Sequence, residues 1–153
     1  MKKFKFRLES VRLDRERVEK LRLREWTIVN RMMMDLQAEK SRLEKRLSDA
    51  MSEMTAIKRA SVVSTSIISE MENFIQGLKI RIDWKKGEIA RAEKFVERKR
   101  VEWVTARQKR KVMDQLKEKQ HQVYKDEQKT KELRHLDDLY IMKRRDDSPE
   151  GEL

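Results

Sequence analysis

Two series of residues that recur every seven positions run through the second half of this chain. One reads Ile75, Ile82, Ile89, Val96, Trp103, Arg110, Lys117 and Tyr124, and the other Met71, Leu78, Lys85, Ala92, Lys99, Ala106, Met113 and Gln120. Interleaved, they give the 3-4 alternation of a helix that seats a narrow apolar stripe on a partner helix. The repeat has none of the period two that a strand requires. A stripe about two positions in seven wide closes off a large central core. Three glycines and one proline in 153 residues leave few turns, so the chain must consist of very few, very long elements.

A first repeat begins almost at once. Phe4, Leu8, Val11, Val18 and Leu21 follow heptad spacing, with Arg15 at the intervening position. The stripe is expected to slip by about one residue near Arg24-Glu25-Trp26, where Ile28 and Val29 compete for one face. It resumes at Met32, Leu36, Leu43, Leu47, Ala50, Met54 and Ile57. The stretch Arg59 to Ser66 then breaks the pattern with β-branched and hydroxyl residues that favour caps and turns, and Ser66 or Ser69 can cap the second helix.

These features predict an all-α fold, an antiparallel two-helix coiled-coil hairpin formed by residues 1–145. Its first helix covers about 3–58, its tip about 59–66 and its longer second helix about 67–143. The acidic stretch 146–153 has no periodicity and is expected to be a disordered C-terminal tail. With the tip near residue 62, Leu36 faces the neighbourhood of Ile89 and Leu21 that of Trp103, and residues beyond about 120 lack an intrachain partner. An intermolecular coil of uninterrupted helices is the competing architecture; it predicts helicity that depends on concentration.

No catalytic, cofactor or metal site is expected, and no small-molecule ligand. His121 and His135 are fourteen residues apart, about 21 Å along a helix, and cannot share an ion. Asp137-Asp138 has no second carboxylate or nucleophile arranged near it, and phosphate-cradling glycine loops are absent. A thin hairpin has no room for the enclosed pocket that catalysis requires. Met32-Met33-Met34 spans most of a helical turn, so the three sulfurs cannot converge, and Met32 is assigned to the seam. The lack of cysteine fits a reducing compartment. No window approaches the roughly 18 apolar residues of a membrane span, and the amino-terminal residues lack a signal-peptide core, so a cytoplasmic protein is expected.

Two surface features stand out. A formal charge of +11 favours acidic partners. Part of it lies in Arg98-Lys99-Arg100 and in Arg107, Lys109, Arg110 and Lys111, around Trp103. Such a run can track a nucleic-acid backbone, but Trp103 belongs to the seam, and a solvated face or a contact with an acidic protein surface accounts for it better. The second feature is Phe74. It projects about 100° from the seam residues Ile75 and Leu78, as a partner anchor beside Arg81 and Lys85 or as a ring folded under a Val62-Val63 turn.

Several stretches resemble the FliJ family, the small coiled-coil component of flagellar type III export. They are Phe6-Arg7-Leu8-Glu9-Ser10-Val11 followed by Arg15-Glu16, then Phe74-Ile75-Gln76-Gly77-Leu78, and then Trp103, Arg107, Leu116, Lys119, Tyr124, Glu127, Lys131, Glu132 and Leu136-Asp137-Asp138. Arg12 departs from the pattern, where a leucine is usual. The resemblance implies a stalk-like hairpin that enters the hexameric export ATPase, promotes its assembly and couples it to the membrane export gate, with export chaperones as further partners. It implies gate contacts at Phe74, Leu78, Arg81 and Lys85, of which the first two match the motif. It implies ATPase contacts at Arg7, Arg15, Arg22, Arg107, Arg110, Leu116 and Tyr124. The protein would then be peripheral at the cytoplasmic face of the inner membrane through its partners. Alternatives are the stalk of an injectisome-type secretion system and a basic nucleic-acid-binding coiled coil.

Overall fold

In the computed structural model, which describes residues 3–60, 62 and 64–146, the chain forms two helices, α1 at Glu9–Arg59 and α2 at Thr65–Asp146. They make a helical hairpin with the longer arm second, and no strand occurs among the described residues. Beyond Asp146 the expected acidic tail lies outside the described residues, as do Ser61 and Val63 of the expected tip. Two compact units are distinguished. One holds the chain up to Arg17 together with Arg107 onward, and the other is Val18–Ala106.

In the Val18–Ala106 unit the α2 stripe lies where the heptads place it. Leu78, Ile82, Ile89, Val96 and Ala106 are buried, and Met71, Ile75, Lys85, Ala92, Lys99 and Trp103 are half-buried. The facing stripe of α1 differs from the expected one. Glu19, Arg22, Trp26, Val29, Met33, Leu36, Lys40, Leu43, Leu47, Ala50, Met54 and Ile57 are all buried or half-buried, at unbroken 3-4 spacing. No slip occurs near Arg24. Val29 takes the seam over Ile28, and Met33 takes it over Met32, which is 61% exposed.

The residues expected to lead into that slip are turned outward: Val18 is exposed, and Leu21 is 53% exposed. The reason is mechanical. A stripe through Val18 and Leu21 would have to be re-wound before reaching Val29, whereas Glu19 and Arg22 continue the same seam and keep their charges at its wet edge. Trp26 fixes the register by stacking on Trp103 at 5.3 Å between centroids, with the rings 6° from parallel. Trp103 therefore meets Trp26, not the neighbourhood of Leu21.

Around the tip, α1 closes with Lys58 and Arg59 in its last turn, where cations favour the helix dipole, and the Ala60 amide donates to the Ile57 carbonyl at 3.1 Å. The Ser64 carbonyl accepts from Ile67 and Ile68, so α2 begins before Ser66 and Ser69. Gly77 and Gly87 mark no close approach, since a Cβ at either would meet nothing within 4 Å. Gly87→Ala is expected to stabilise the chain by about 1 kcal/mol, because glycine loses more backbone entropy on entering a helix than alanine does. A urea midpoint followed by circular dichroism should rise; a fall would mean that α2 bends at this point.

In the other unit residues 3–8 are not helical. Along residues 3–7 the side chains alternate: Lys3, Lys5 and Arg7 are exposed, Phe4 is half-buried and Phe6 is buried. That period of two belongs to an extended segment, and it displaces the helix start from about residue 3 to Glu9. Phe4 packs against His121 at 4.9 Å and Tyr124 at 5.6 Å, so the intrachain partner extends past residue 120. Here the α2 stripe does change register. Gln120 is exposed, and Lys117, His121, Tyr124 and Gln128 are half-buried. An extended segment presents a ring rather than a helical knob, which relaxes the heptad constraint. Residues 129–144 are exposed throughout.

Candidate functional site

The Val18–Ala106 unit carries the four residues expected at the export gate. Phe74, 48% exposed, stands just off the seam, and Arg81 is on the same row, seven residues on and exposed. Leu78 and Lys85 lie in the seam itself. Leu78 is the most enclosed large side chain, at 2% exposure. Lys85 is held by Glu39 of α1 at 2.7 Å and Glu88 at 2.8 Å. A partner approaching this face therefore meets Phe74 and Arg81 directly and Leu78 only through the packing beneath. Fold-back of Phe74 under Val62-Val63 rests on Val63, which is outside the described residues.

Six of the seven residues expected at the ATPase fall in the other unit. Tyr124 packs its ring, tilted, on Phe4, and Arg110 pairs with Asp114, which also takes Arg12 of α1 at 3.5 Å. Arg7 and Arg107 are exposed, and Arg15 and Leu116 are half-buried. Arg7 and Arg15 form no ion pair among the described residues. The seventh, Arg22, lies in the Val18–Ala106 unit and bridges Glu25 at 2.9 Å and Glu102 at 3.3 Å.

The departure at Arg12 has a structural reason. This residue sits on the side facing α2, and its guanidinium joins Glu9 at 2.7 Å, Glu16 at 3.6 Å and Asp114. Glu9 in turn reaches Lys117 of α2 at 2.9 Å. An aliphatic residue could not tie these carboxylates together.

Part of the basic run is engaged within the protein: Lys99, Arg100 and Arg110 meet its own carboxylates. Lys99 meets Glu25 and Glu102, Arg100 is bidentate on Glu97, and Arg98 lies 5.9 Å over the Phe95 ring. Cations engaged in this way make a poor continuous track for phosphates. Among the described residues no group of three or more His, Cys, Asp and Glu could hold a metal ion, and no helix is long and apolar enough to cross a membrane.

These ion pairs set an acid limit. Hydrogen bonds from Arg12, then Lys117, lower the Glu9 carboxyl from 4.5 to about 2. Arg22 lowers that of Glu25 and Lys85 that of Glu39. A carboxyl whose folded pKa is depressed contributes its stabilisation in full above its unfolded value and loses it as pH falls through the folded one. Melting temperature is expected to hold steady down to about pH 5 and then decline between 4.5 and about 2. Glu9→Gln should flatten part of the decline in circular-dichroism melts, and an unchanged profile would remove Glu9 from the account.

Sequence reasoning missed a groove in the Val18–Ala106 unit. Glu39, Arg42, Leu43 and Arg46 of α1 and Ile80, Arg81, Trp84, Lys85 and Glu88 of α2 line an open groove of about 700 Å³ beside the seam. Trp84 is 76% exposed. The available signal was its heptad position: two residues past Ile82, it points away from the partner helix, where a tryptophan has no packing role.

Compared with known proteins, residues 4–146 match the family model described as "Flagellar FliJ protein". No curated protein and no solved structure matches the chain.

Proposed function

The chain belongs to the FliJ family and is thus a component of the flagellar export apparatus, and from that premise we propose that it acts as the stalk between a hexameric export ATPase and the membrane export gate. The match over residues 4–146 carries this reading. The geometry supports it: a seam-packed hairpin stiffened by ion pairs suits a part that transmits contact rather than performs chemistry. Nucleotide hydrolysis would belong to the ATPase. The protein would work at the cytoplasmic face of the inner membrane, held there by its partners, with export chaperones engaging it in turn.

In this proposal the ATPase receives the unit containing Arg7, Arg15, Arg107, Arg110, Leu116 and Tyr124, and Arg22, held by Glu25 and Glu102 in the Val18–Ala106 unit, is a separate contact. Exposed arginines grip weakly and are screened by salt, which permits rapid release. The gate reads Phe74 and Arg81, with Leu78 and Lys85 holding their turn of helix in place.

The test is stimulation of a purified flagellar export ATPase by the full chain, with co-purification of the two. Failure of both would remove the stalk reading. Salt titration on DNA or RNA tests the nucleic-acid alternative, which requires steep weakening with salt and loss on charge reversal at Arg107 and Arg110. For the gate, Phe74→Ala is expected to leave stability within about 0.5 kcal/mol while reducing gate binding and motility. A large fall in melting temperature would assign Phe74 to packing instead.

A further inference from the structure

The groove around Trp84 runs along the edge of the seam, with Leu43 and Lys85 belonging to both. Its floor is apolar: Leu43 from α1 and Ile80 and Trp84 from α2, with Ile80 and Trp84 both more than half exposed. Its rim is cationic. Lys85 pairs with both of the groove's carboxylates, Glu39 and Glu88, and Arg42 adds to the field that lowers the Glu39 carboxyl, so the lining of four cations and two carboxylates keeps a positive balance. Arg42, Arg46 and Arg81 form no ion pair among the described residues, although each stands where a bound segment would touch it. What sets these three arginines apart from other exposed cations of the chain is the apolar floor and the exposed tryptophan that they surround.

Arg42 and Arg46 are four residues apart, hence one turn apart on one face of α1. Carboxylates repeated at i and i+4 on a second helix have the same rise, so each can meet one guanidinium. An apolar residue between them would cover the Trp84 ring, and Arg and Trp are the side chains that most often dominate such contacts. We propose that this groove docks an acidic amphipathic helix of another protein. Its apolar stripe lies on Leu43, Ile80 and Trp84, and its carboxylates pair with Arg42, Arg46 and Arg81.

The concave trough favours a helix over a bilayer, which takes up an exposed apolar ridge rather than a groove. The carboxylates of Glu39 and Glu88 interrupt the continuous basic track that nucleic acid needs. Arg81 and Lys85 are shared with the proposed gate face, but Trp84 and Arg42 are not, so the two surfaces can be separated by mutation.

The experiment is fluorescence polarisation of the full chain at low ionic strength. The probe is a fluorescein-labelled amphipathic peptide with Leu along one helical stripe and Glu at i and i+4 beside it. Binding is expected, weakened at least about tenfold by Trp84→Ala and by the pair Arg42→Glu and Arg46→Glu, and unchanged by Phe74→Ala. Trp84 is mostly exposed, so its variant should melt as the parent does. The arginine pair supplies an independent arm should it not. Equal binding to both variants would overturn the proposal. So would equally tight binding of a Glu homopeptide or of the same peptide with Lys for Glu. Trp84-dependent binding of phosphatidylglycerol vesicles or an RNA oligonucleotide in place of the peptide would also overturn it, by assigning the groove to a membrane or to RNA.

Discussion

Trp26→Ala is expected to destabilise the chain by about 3 kcal/mol, a large loss for a position the heptad rule assigned no special weight. The ring is half-buried in the seam and lies flat on Trp103, 5.3 Å away and 6° from parallel. Removing it takes away both its buried area and the stacking partner of Trp103. Trp103→Ala should cost a similar amount, and the double variant should cost less than the sum by about 1 kcal/mol, because the stacking energy can be lost only once. Urea denaturation followed by circular dichroism measures all three. Strict additivity would mean that the two rings pack independently and that the register of α1 is set by something else.

The second large effect is Leu78→Ala, with an expected loss of about 3 kcal/mol. Leu78 is 2% exposed, so truncation leaves a void that the seam has little freedom to close. This outcome separates the two residues that match the family motif near the start of α2. Phe74 should report on binding with little change in stability. Leu78 should report on stability first, with binding falling only as the hairpin loosens. If Leu78→Ala melted like the parent yet lost the gate, the side chain would have to reach the partner directly, and the seam at this point would have to open.

The two helices differ in how far their packing was legible in the residues. In α2 between Met71 and Ala106 the seam is rich in isoleucine, leucine and valine, and one register is much more apolar than its neighbours. The pattern and the structure therefore agree residue by residue. In α1 between Val18 and Met32 two registers carry similar apolar content. Leu21 and Met32 argue for one, and Trp26, Val29 and Met33 for the other. Counting along a single helix favours the more continuous apolar series and needs a slip to join it to Leu36. What decides the matter is a residue on the other helix, Trp103, together with Glu102 and Lys99, which pair with Arg22 and Glu25.

The candidate surfaces divide in the same way. The outward position of Phe74 was readable because its neighbours Ile75 and Leu78 left only one side for it. The Trp84 groove was not, since its walls come from α1 and α2 and exist only where the two helices meet. Nor was the extended start of the chain, where Phe4 and Phe6 alternate with Lys5 over too few residues to outweigh the helical pattern after them.

By itself, then, the order of residues determined that this chain is a helical pair with a turn near residue 60. Heptad spacing and the scarcity of Gly and Pro are local properties that act within one helix. The same order carried the family motifs. Only the folded pair decided which face of α1 closes the seam, where the chain stops being helical before Glu9, and which cations are left for a partner. Each of those depends on side chains from two helices competing for the same space and the same opposite charge, and that competition exists only once the helices are packed.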